Sequence, residues 1–180
     1  LLKEKTEIMD ANAMRRAITR ISFEIIEKNK GLQDICIIGI LSRGAIIAKR
    51  LAKRIAELEE VQVPVGYLDI TPYRDDKRRS TKDHSEIAFD VTGKKVVLVD
   101  DVIYTGRSVR AAIDGLMARG RPEKIQLASL VDRGHRELPI RADFIGKNLP
   151  TSAEEKVKVF VDEQDGIDRV VILCEEEKQC

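Results

Sequence analysis

Apolar and polar positions along the chain alternate between two periods. From about Asp10 to Lys30, Met14, Ile18, Ile21 and Ile25 recur at helical spacing, with Arg16, Thr19, Arg20, Phe23 and Glu27 on the opposite side. Asp10 or Asn12 supplies a cap and Gly31 a stop. Ile35 to Ile40 is an unbroken apolar run that reads as a strand buried on both faces, and Ser42-Arg43-Gly44 then opens a helix to about Glu59. Val63 to Ile70 reads as another strand. Thr71 to Ser85 is polar and charge-rich, a long hairpin or mobile loop, with Ile87, Phe89 and Val91 alternating as its returning strand. Val96 to Val99 is a short β-branched strand. After Arg107, the residues Val109, Ala112, Ile113, Leu116 and Met117 mark a helix that Gly120 and Pro122 close. Ile125 to Val131 gives a further strand, Asp132 to Asn148 a basic segment, and Val157 to Val161 and Arg169 to Cys174 two late strands joined at Asp165-Gly166. The acidic tail from Glu175 reads as frayed.

Strands alternating with helices predict an α/β fold: a central, mostly parallel sheet flanked by helices, with the appended segments making a flexible hairpin lid (about 71–88) and a small hood (about 132–174). At 180 residues the chain is one domain's worth, 1–180, able to bury about 70% of its unfolded surface. With 32 basic against 31 acidic residues there is no global field, so a polyanion must be held by a local patch. Cys36, Cys174 and Cys180 lack metal-ligand spacing and suit reduced, cytoplasmic thiols, Cys36 as core. His84 and His135 are isolated, which argues against zinc. No apolar stretch approaches the ~20 residues of a membrane span, and residues 1–30 lack a signal-peptide pattern.

The chemistry concentrates in Val96-Val-Leu-Val-Asp-Asp-Val-Ile-Tyr-Thr-Gly-Arg-Ser-Val109. Thr105, Gly106, Arg107 and Ser108 fall at a strand-to-helix turn, where free N–H groups and the helix dipole favour a phosphate. Asp100 and Asp101 stand at the strand's carboxyl end, where open α/β sheets bind ligands. Acceptor-only carboxylates suit ribose 2′- and 3′-hydroxyls or a hydrated Mg²⁺. An ordinary strand-turn-helix with aspartate caps is the bland alternative. A nucleoside-triphosphatase reading needs a Gly-x-x-x-x-Gly-Lys-Ser/Thr run and a dinucleotide reading a Gly-x-Gly-x-x-Gly, and the chain has neither.

The segment resembles the phosphoribosyl-pyrophosphate (PRPP) signature of the type I phosphoribosyltransferases. The resemblance implies that fold. It also implies that Asp100 and Asp101 hold the ribose and meet a Mg²⁺ brought by PRPP, while Tyr104, Thr105, Gly106, Arg107 and Ser108 hold the 5′-phosphate. In that family a loop matching Ser42, Arg43 and Gly44 grips the pyrophosphate, the lid carries Arg74, and a hood recognises the base. Three segments narrow the resemblance: Tyr73-Arg-Asp-Asp, Val99 to Val109, and Val131-Asp-Arg-Gly-His-Arg-Glu-Leu-Pro-Ile-Arg-Ala-Asp-Phe-Ile-Gly-Lys-Asn. They are similar to the bacterial pyrimidine-operon attenuation regulators, a branch whose members double as uracil phosphoribosyltransferases. The match extends from Arg15-Arg-Ala-Ile-Thr-Arg-Ile to Lys147-Asn-Leu-Pro-Thr-Ser.

This resemblance implies uracil + PRPP → UMP + pyrophosphate, with Arg43, Mg²⁺ and Arg74 or Arg133 facing the leaving charge. Nothing in the sequence marks a base for uracil N1, and a nucleophilic cysteine has no support. The resemblance further implies UMP-dependent binding to the leader of pyrimidine-operon messenger RNA through Thr19, Arg20, Arg136, Arg141 and Lys147, together with a homodimer or higher homo-oligomer. Phe23 departs from the branch, whose members carry histidine there. It cannot donate a hydrogen bond, but it can stack on a base or pack against a subunit. The lid is also shorter than the family's. Two alternatives stand beside this reading: a nucleobase-salvage phosphoribosyltransferase without RNA, and a PRPP-sensing regulator without catalysis.

Overall fold

In a computed structural model, which describes residues 1–76 and 82–175, the elements run β1 (Leu2–Met9), α1 (Ala11–Lys28), β2 (Ile35–Ile40), α2 (Arg43–Glu59), β3 (Val65–Leu68), a single 3₁₀ turn (Thr71–Tyr73), β4 (Lys95–Ile103), α3 (Arg107–Met117), β5 (Lys124–Asp132), β6 (Phe144–Asn148), β7 (Lys156–Phe160), α4 (Asp162–Asp165) and β8 (Arg169–Glu175). The apolar runs become the middle of a parallel sheet ordered β3-β2-β4-β5-β6. Successive side chains of these strands go to opposite faces. Ile35, Ile37, Val97, Val99, Ala128 and Leu130 meet α1 and α2, while Cys36, Ile38, Ile40, Val96, Leu98 and Leu127 meet α3. Both faces are dry, which is why these strands carry no polar alternation.

The Asp10 carboxylate caps α1 by accepting from the N–H of Ala13 at 2.8 Å, so Asp10 and not Asn12 is the cap. The helix stops at Lys28, two residues earlier than its periodicity suggests, because Lys30 and Gly31 take left-handed backbone conformations. At Gly39 in β2 a Cβ would lie 2.5 Å from both Ala45 Cα and Gly44 O, so glycine lets the start of α2 press onto the sheet.

Three elements differ from expectation. β1, which has no apolar periodicity, pairs antiparallel with β8 and completes a second sheet, β1-β8-β7. Residues 144–148, grouped by sequence with the hood, instead form the edge strand β6 of the main sheet, where Phe144 is fully buried. Ile87, Phe89 and Val91 form no returning strand. Among the described residues that segment makes a single bridge, Tyr67 to Glu86, and its apolar side chains pack against the α3 side of the core without a ladder. Part of the segment Asp75 to Lys82 and the tail beyond Glu175 lie outside the described residues.

Candidate functional site

β4 runs past its apolar stretch to Ile103, so Asp100 and Asp101 lie within the strand and not in the loop after it. The ladder to β5 sets Asp100 opposite Ser129, whose hydroxyl donates to the Asp101 carbonyl at 3.3 Å. Asp100 is only 7% exposed. The N–H of Asp101 donates to its carboxylate at 2.9 Å, and the N–H of Val102 donates to Asp101 at 2.8 Å. Burial, with the adjacent Asp101 carboxylate adding to it, pushes the Asp100 carboxyl well above the ordinary carboxylate range.

Beyond Ile103 the chain turns through Tyr104 and Thr105 into Gly106, which caps α3 at a φ of +93° that favours glycine. The N–H of Arg107 points to the Thr105 hydroxyl at 3.3 Å. A cavity of about 310 Å³ opens here, lined by Asp100, Tyr104 to Val109, Arg74 and Asp76 among others. It is the size of a small-molecule site, with a helix N-terminus and the buried Asp100 both in its wall.

The cationic residues are distributed around this cavity unevenly. Arg74 lines it and binds Asp76 through two nitrogens, at 2.8 and 2.6 Å. Arg107 also lines it while bridging Asp75 at 2.8 Å and Glu137 at 2.9 Å. The Ser42 to Gly44 loop lies alongside. A Cβ on Gly44 would sit 2.6 Å from Val99 O and 3.2 Å from Asp100 Cα. The peptide between Leu41 and Ser42 is cis. The Arg43 side chain, however, turns to the second sheet, where it pairs with Asp165 at 2.8 Å. Arg133 is buried and stands 4.0 Å over the Tyr104 ring. Its nitrogens bond Thr151 Oγ1 and the carbonyls of Ser152 and Glu155. It therefore shapes the cavity through Tyr104, whose ring His135 also meets edge-on.

A second locus lies on α1. Thr19, Arg20 and Phe23 line a cleft of about 1240 Å³ between α1 and α2, and Phe23 is 52% exposed. Arg20 donates to the carbonyls of Ile145 and Gly146 at 2.9 and 2.5 Å, which joins α1 to β6 one residue from the exposed Lys147. Arg141 is exposed and makes no hydrogen bond or ion pair to the described residues. Arg136 does not join this face. Its guanidinium bonds Tyr104 O, Ile140 O and Asp132 at 2.8, 2.8 and 2.6 Å, bracing the loop beside the cavity.

A profile of the phosphoribosyl transferase domain matches residues 4–165. The bifunctional protein PyrR of Pediococcus pentosaceus is 59% identical over 172 residues, covering 92% of this chain and 97% of its own. That of Enterococcus faecalis (strain ATCC 47077 / OG1RF) is 57% identical over 171 residues, covering 93% and 96%. The pyrimidine operon regulatory protein of Lactococcus lactis subsp. lactis is 54% identical over 172 residues, covering 96% and 99%.

The chain belongs to the PyrR family of phosphoribosyltransferases.

Solved structures agree on the fold of this PyrR-family chain. A point mutant of the Trypanosoma cruzi hypoxanthine phosphoribosyltransferase, in a ternary complex with substrates, superposes with a TM-score of 0.76 at 17% identity, covering 97% of each chain. A Bacillus anthracis hypoxanthine-guanine phosphoribosyltransferase gives 0.73 at 17% identity, covering 97% of this chain and all of its own. The fold is that of the type I phosphoribosyltransferases.

Several residues around the site had no local signal in the PyrR-family sequence. Asp75 holds both Arg107 and Arg110, Asp69 fastens the base of the 71–85 segment, and Asp165 holds Arg43. Asp75 and Asp165 are each one acid in a charged stretch that only a partner across the fold marks, whereas Asp69 stands among apolar residues and is marked by its bonds to Thr71 and His84.

Proposed function

We propose that this chain transfers the phosphoribosyl group of PRPP to uracil, releasing pyrophosphate, and that with UMP bound it recognises the leader of pyrimidine-operon messenger RNA and promotes transcription attenuation. The observation that carries this reading is one cavity holding both the buried Asp100 and the Thr105–Ser108 turn at the N-terminus of α3.

In this reading the turn and the helix N-terminus take the 5′-phosphate, and that remote binding energy orients the sugar. Asp100 and Asp101 accept from the ribose hydroxyls and lie near the positive charge that grows on the ring as the C1–pyrophosphate bond lengthens. The 42–44 loop lies on the leaving side, where Arg43 and the N–H dipoles of the loop stabilise the departing charge. Arg74 and Arg107 supply further positive charge at the rim. Arg133, stacked on Tyr104, keeps that ring at the mouth of the cavity.

The donor set fits Mg²⁺. The ion typically binds through one or two carboxylates plus substrate phosphates, and a cation relieves the cost of ionising the buried Asp100 carboxyl. Among the described residues no group of three His, Cys, Asp or Glu could form a protein-only site. Asp100 and Asp101 would hold a Mg²⁺ that arrives on PRPP, and the ion would neutralise pyrophosphate charge.

For RNA, the exposed Arg141 and Lys147 suit phosphates or unpaired bases, and Phe23 offers a stacking face in place of a hydrogen-bonding histidine. The protein acts in the cytoplasm as a homodimer or higher homo-oligomer, which light scattering on the purified chain checks. No helix among the described residues is long and apolar enough to cross a membrane.

The test has two arms. Incubation with PRPP and either uracil or hypoxanthine should release pyrophosphate with uracil alone. Gel-shift titration with a pyrimidine-operon leader should tighten on adding UMP. Release with hypoxanthine but not uracil overturns the enzymatic half, and UMP-independent or absent binding at moderate salt overturns the regulatory half.

A further inference from the structure

Arg43 and Arg50 lie two turns apart on one side of α2, and both reach the turn around α4 in the second sheet. Arg50 holds Glu163 through Nε at 2.9 Å and Asp168 through both terminal nitrogens at 3.0 and 2.7 Å. The N–H of Asp162 donates to the same Asp168 carboxylate at 2.8 Å. This turn is therefore fastened to α2 independently of Arg43.

The Arg43–Asp165 pair is different in kind. Asp165 Oδ2 accepts from the N–H of Val161 at 2.9 Å, which fixes the carboxylate on its own turn, and Oδ1 accepts from Arg43 Nη2 at 2.8 Å. The two side chains are 25% and 16% exposed, so water screens the pair only partly. Arg43 Nε is buried with no hydrogen-bond partner among the described residues. Of the five N–H donors of a guanidinium, Arg43 thus commits few, and its charge is cancelled by an acid anchored elsewhere. Its backbone meanwhile borders Asp100 through Gly44. The arginine best placed by chain position to face a departing anion is parked on a fixed carboxylate.

We infer that Asp165 is a positioning residue that competes with the pyrophosphoryl group for Arg43, so that the α4 turn sets how tightly that end of the ligand is held. The inference rests on the cavity being a PRPP site. Each arrival of the pyrophosphoryl group exchanges one charge-assisted hydrogen bond for another, and each departure returns Arg43 to Asp165. The exchange weakens ground-state binding and speeds release, which limits turnover in many transferases that clamp their products. The Arg50 contacts keep the turn in place while Arg43 is away.

Asp165→Asn removes the charge and keeps an oxygen for the Val161 N–H. Calorimetric titration with magnesium pyrophosphate and with PRPP, on the full chain and on Asp165→Asn, Arg43→Ala and the double variant, tests the exchange. Expected are about 3- to 10-fold tighter binding of both ligands by Asp165→Asn, with KM for PRPP and kcat falling together, and no effect of Asp165→Asn once Arg43 is alanine. Asp165→Ser should tighten binding likewise. Unchanged or weaker binding by both Asp165 variants, or equal tightening in the Arg43→Ala background, overturns the inference while leaving the reading of the cavity intact. A native chain that binds neither ligand removes that reading and the inference together.

Discussion

The main-chain N–H of Asp101 donates to the carboxylate of Asp100 at 2.9 Å, so two consecutive acids in one strand share a hydrogen bond where their charges repel. A carboxyl raised in the folded state favours folding below the unfolded carboxylate pKa and loses that contribution as pH rises through its folded value. At neutral pH the burial of Asp100 beside Asp101 is therefore a cost to the ligand-free protein. Asp100→Asn should therefore raise Tm at pH 7 to 8, roughly 2–4 °C for each ~1 kcal/mol in a chain of this size, and the gain should shrink towards pH 4. Transferase activity should fall by about 10²-fold or more. Scanning fluorimetry across pH, beside an activity assay, checks both signs. A Tm unchanged at pH 8 would contradict the account of the pair.

Asp69 works in the opposite direction. Its burial favours the neutral form, but the N–H groups of Thr71 and His84, at 2.9 and 3.1 Å, together with the His84 ring, outweigh burial and hold the carboxyl at about 2. The N–H of Asp69 also donates to the Ser85 hydroxyl at 2.8 Å, so one residue fastens both feet of the 71–85 segment. A depressed pKa contributes stability that is present above the unfolded value and lost as pH falls through the folded one. Asp69→Ala should cost about 1–3 kcal/mol at pH 7, and the difference should vanish near pH 2. Urea unfolding at both pH values measures it, and an equal loss at each would assign the effect to packing.

Arg136 and Arg141 should separate cleanly. Arg136→Ala removes the guanidinium donor from Tyr104 O, Ile140 O and Asp132 Oδ2, which should lower stability by about 2–3 kcal/mol and impair both turnover and RNA binding. Arg141→Ala removes no hydrogen bond or ion pair to the described residues. It should change stability by no more than about 0.5 kcal/mol, spare turnover, weaken RNA binding and reduce the salt slope of that binding by about one. Turnover lost in Arg141→Ala would show the two surfaces to be coupled.

Gly44→Ala should be severe for its size. The added methyl would meet Val99 O at 2.6 Å and Asp100 Cα at 3.2 Å, both main-chain atoms of the strand that carries the acid pair. The loop or the strand must shift, costing about 1–3 kcal/mol and displacing Asp100 from the 42–44 loop. A Tm series with PRPP titration reads both effects, and a variant with native PRPP affinity would show that this close approach is dispensable.

Much of this architecture was legible in the residues. Ile35 to Ile40, Val96 to Val99 and Ile125 to Val131 are apolar at nearly all consecutive positions because both faces of their sheet are covered, and Asp10 capped the first helix as its side chain allows. The turn at Thr105 to Ser108 was legible because glycine, hydroxyls and a following helix are a local signature. What was hidden depends on partners far along the chain. β1 carries Lys3, Glu4, Lys5 and Glu7 and becomes a strand only through the edge of β8. β6 is short and ends in Lys147 and Asn148, so its buried Phe144 was masked by the charges around it. Arg136 and Arg141 look alike in sequence, and only the carbonyls of Tyr104 and Ile140 distinguish brace from surface.

The joining of β1 to β8 also bears on biosynthesis. More than 160 residues separate their paired positions, so a growing polypeptide holds β1 unmatched until β8 has been made. At ordinary elongation rates that interval lasts roughly ten to thirty seconds. Alternating lysine and glutamate along β1 keep the waiting edge soluble and unattractive to neighbouring nascent strands.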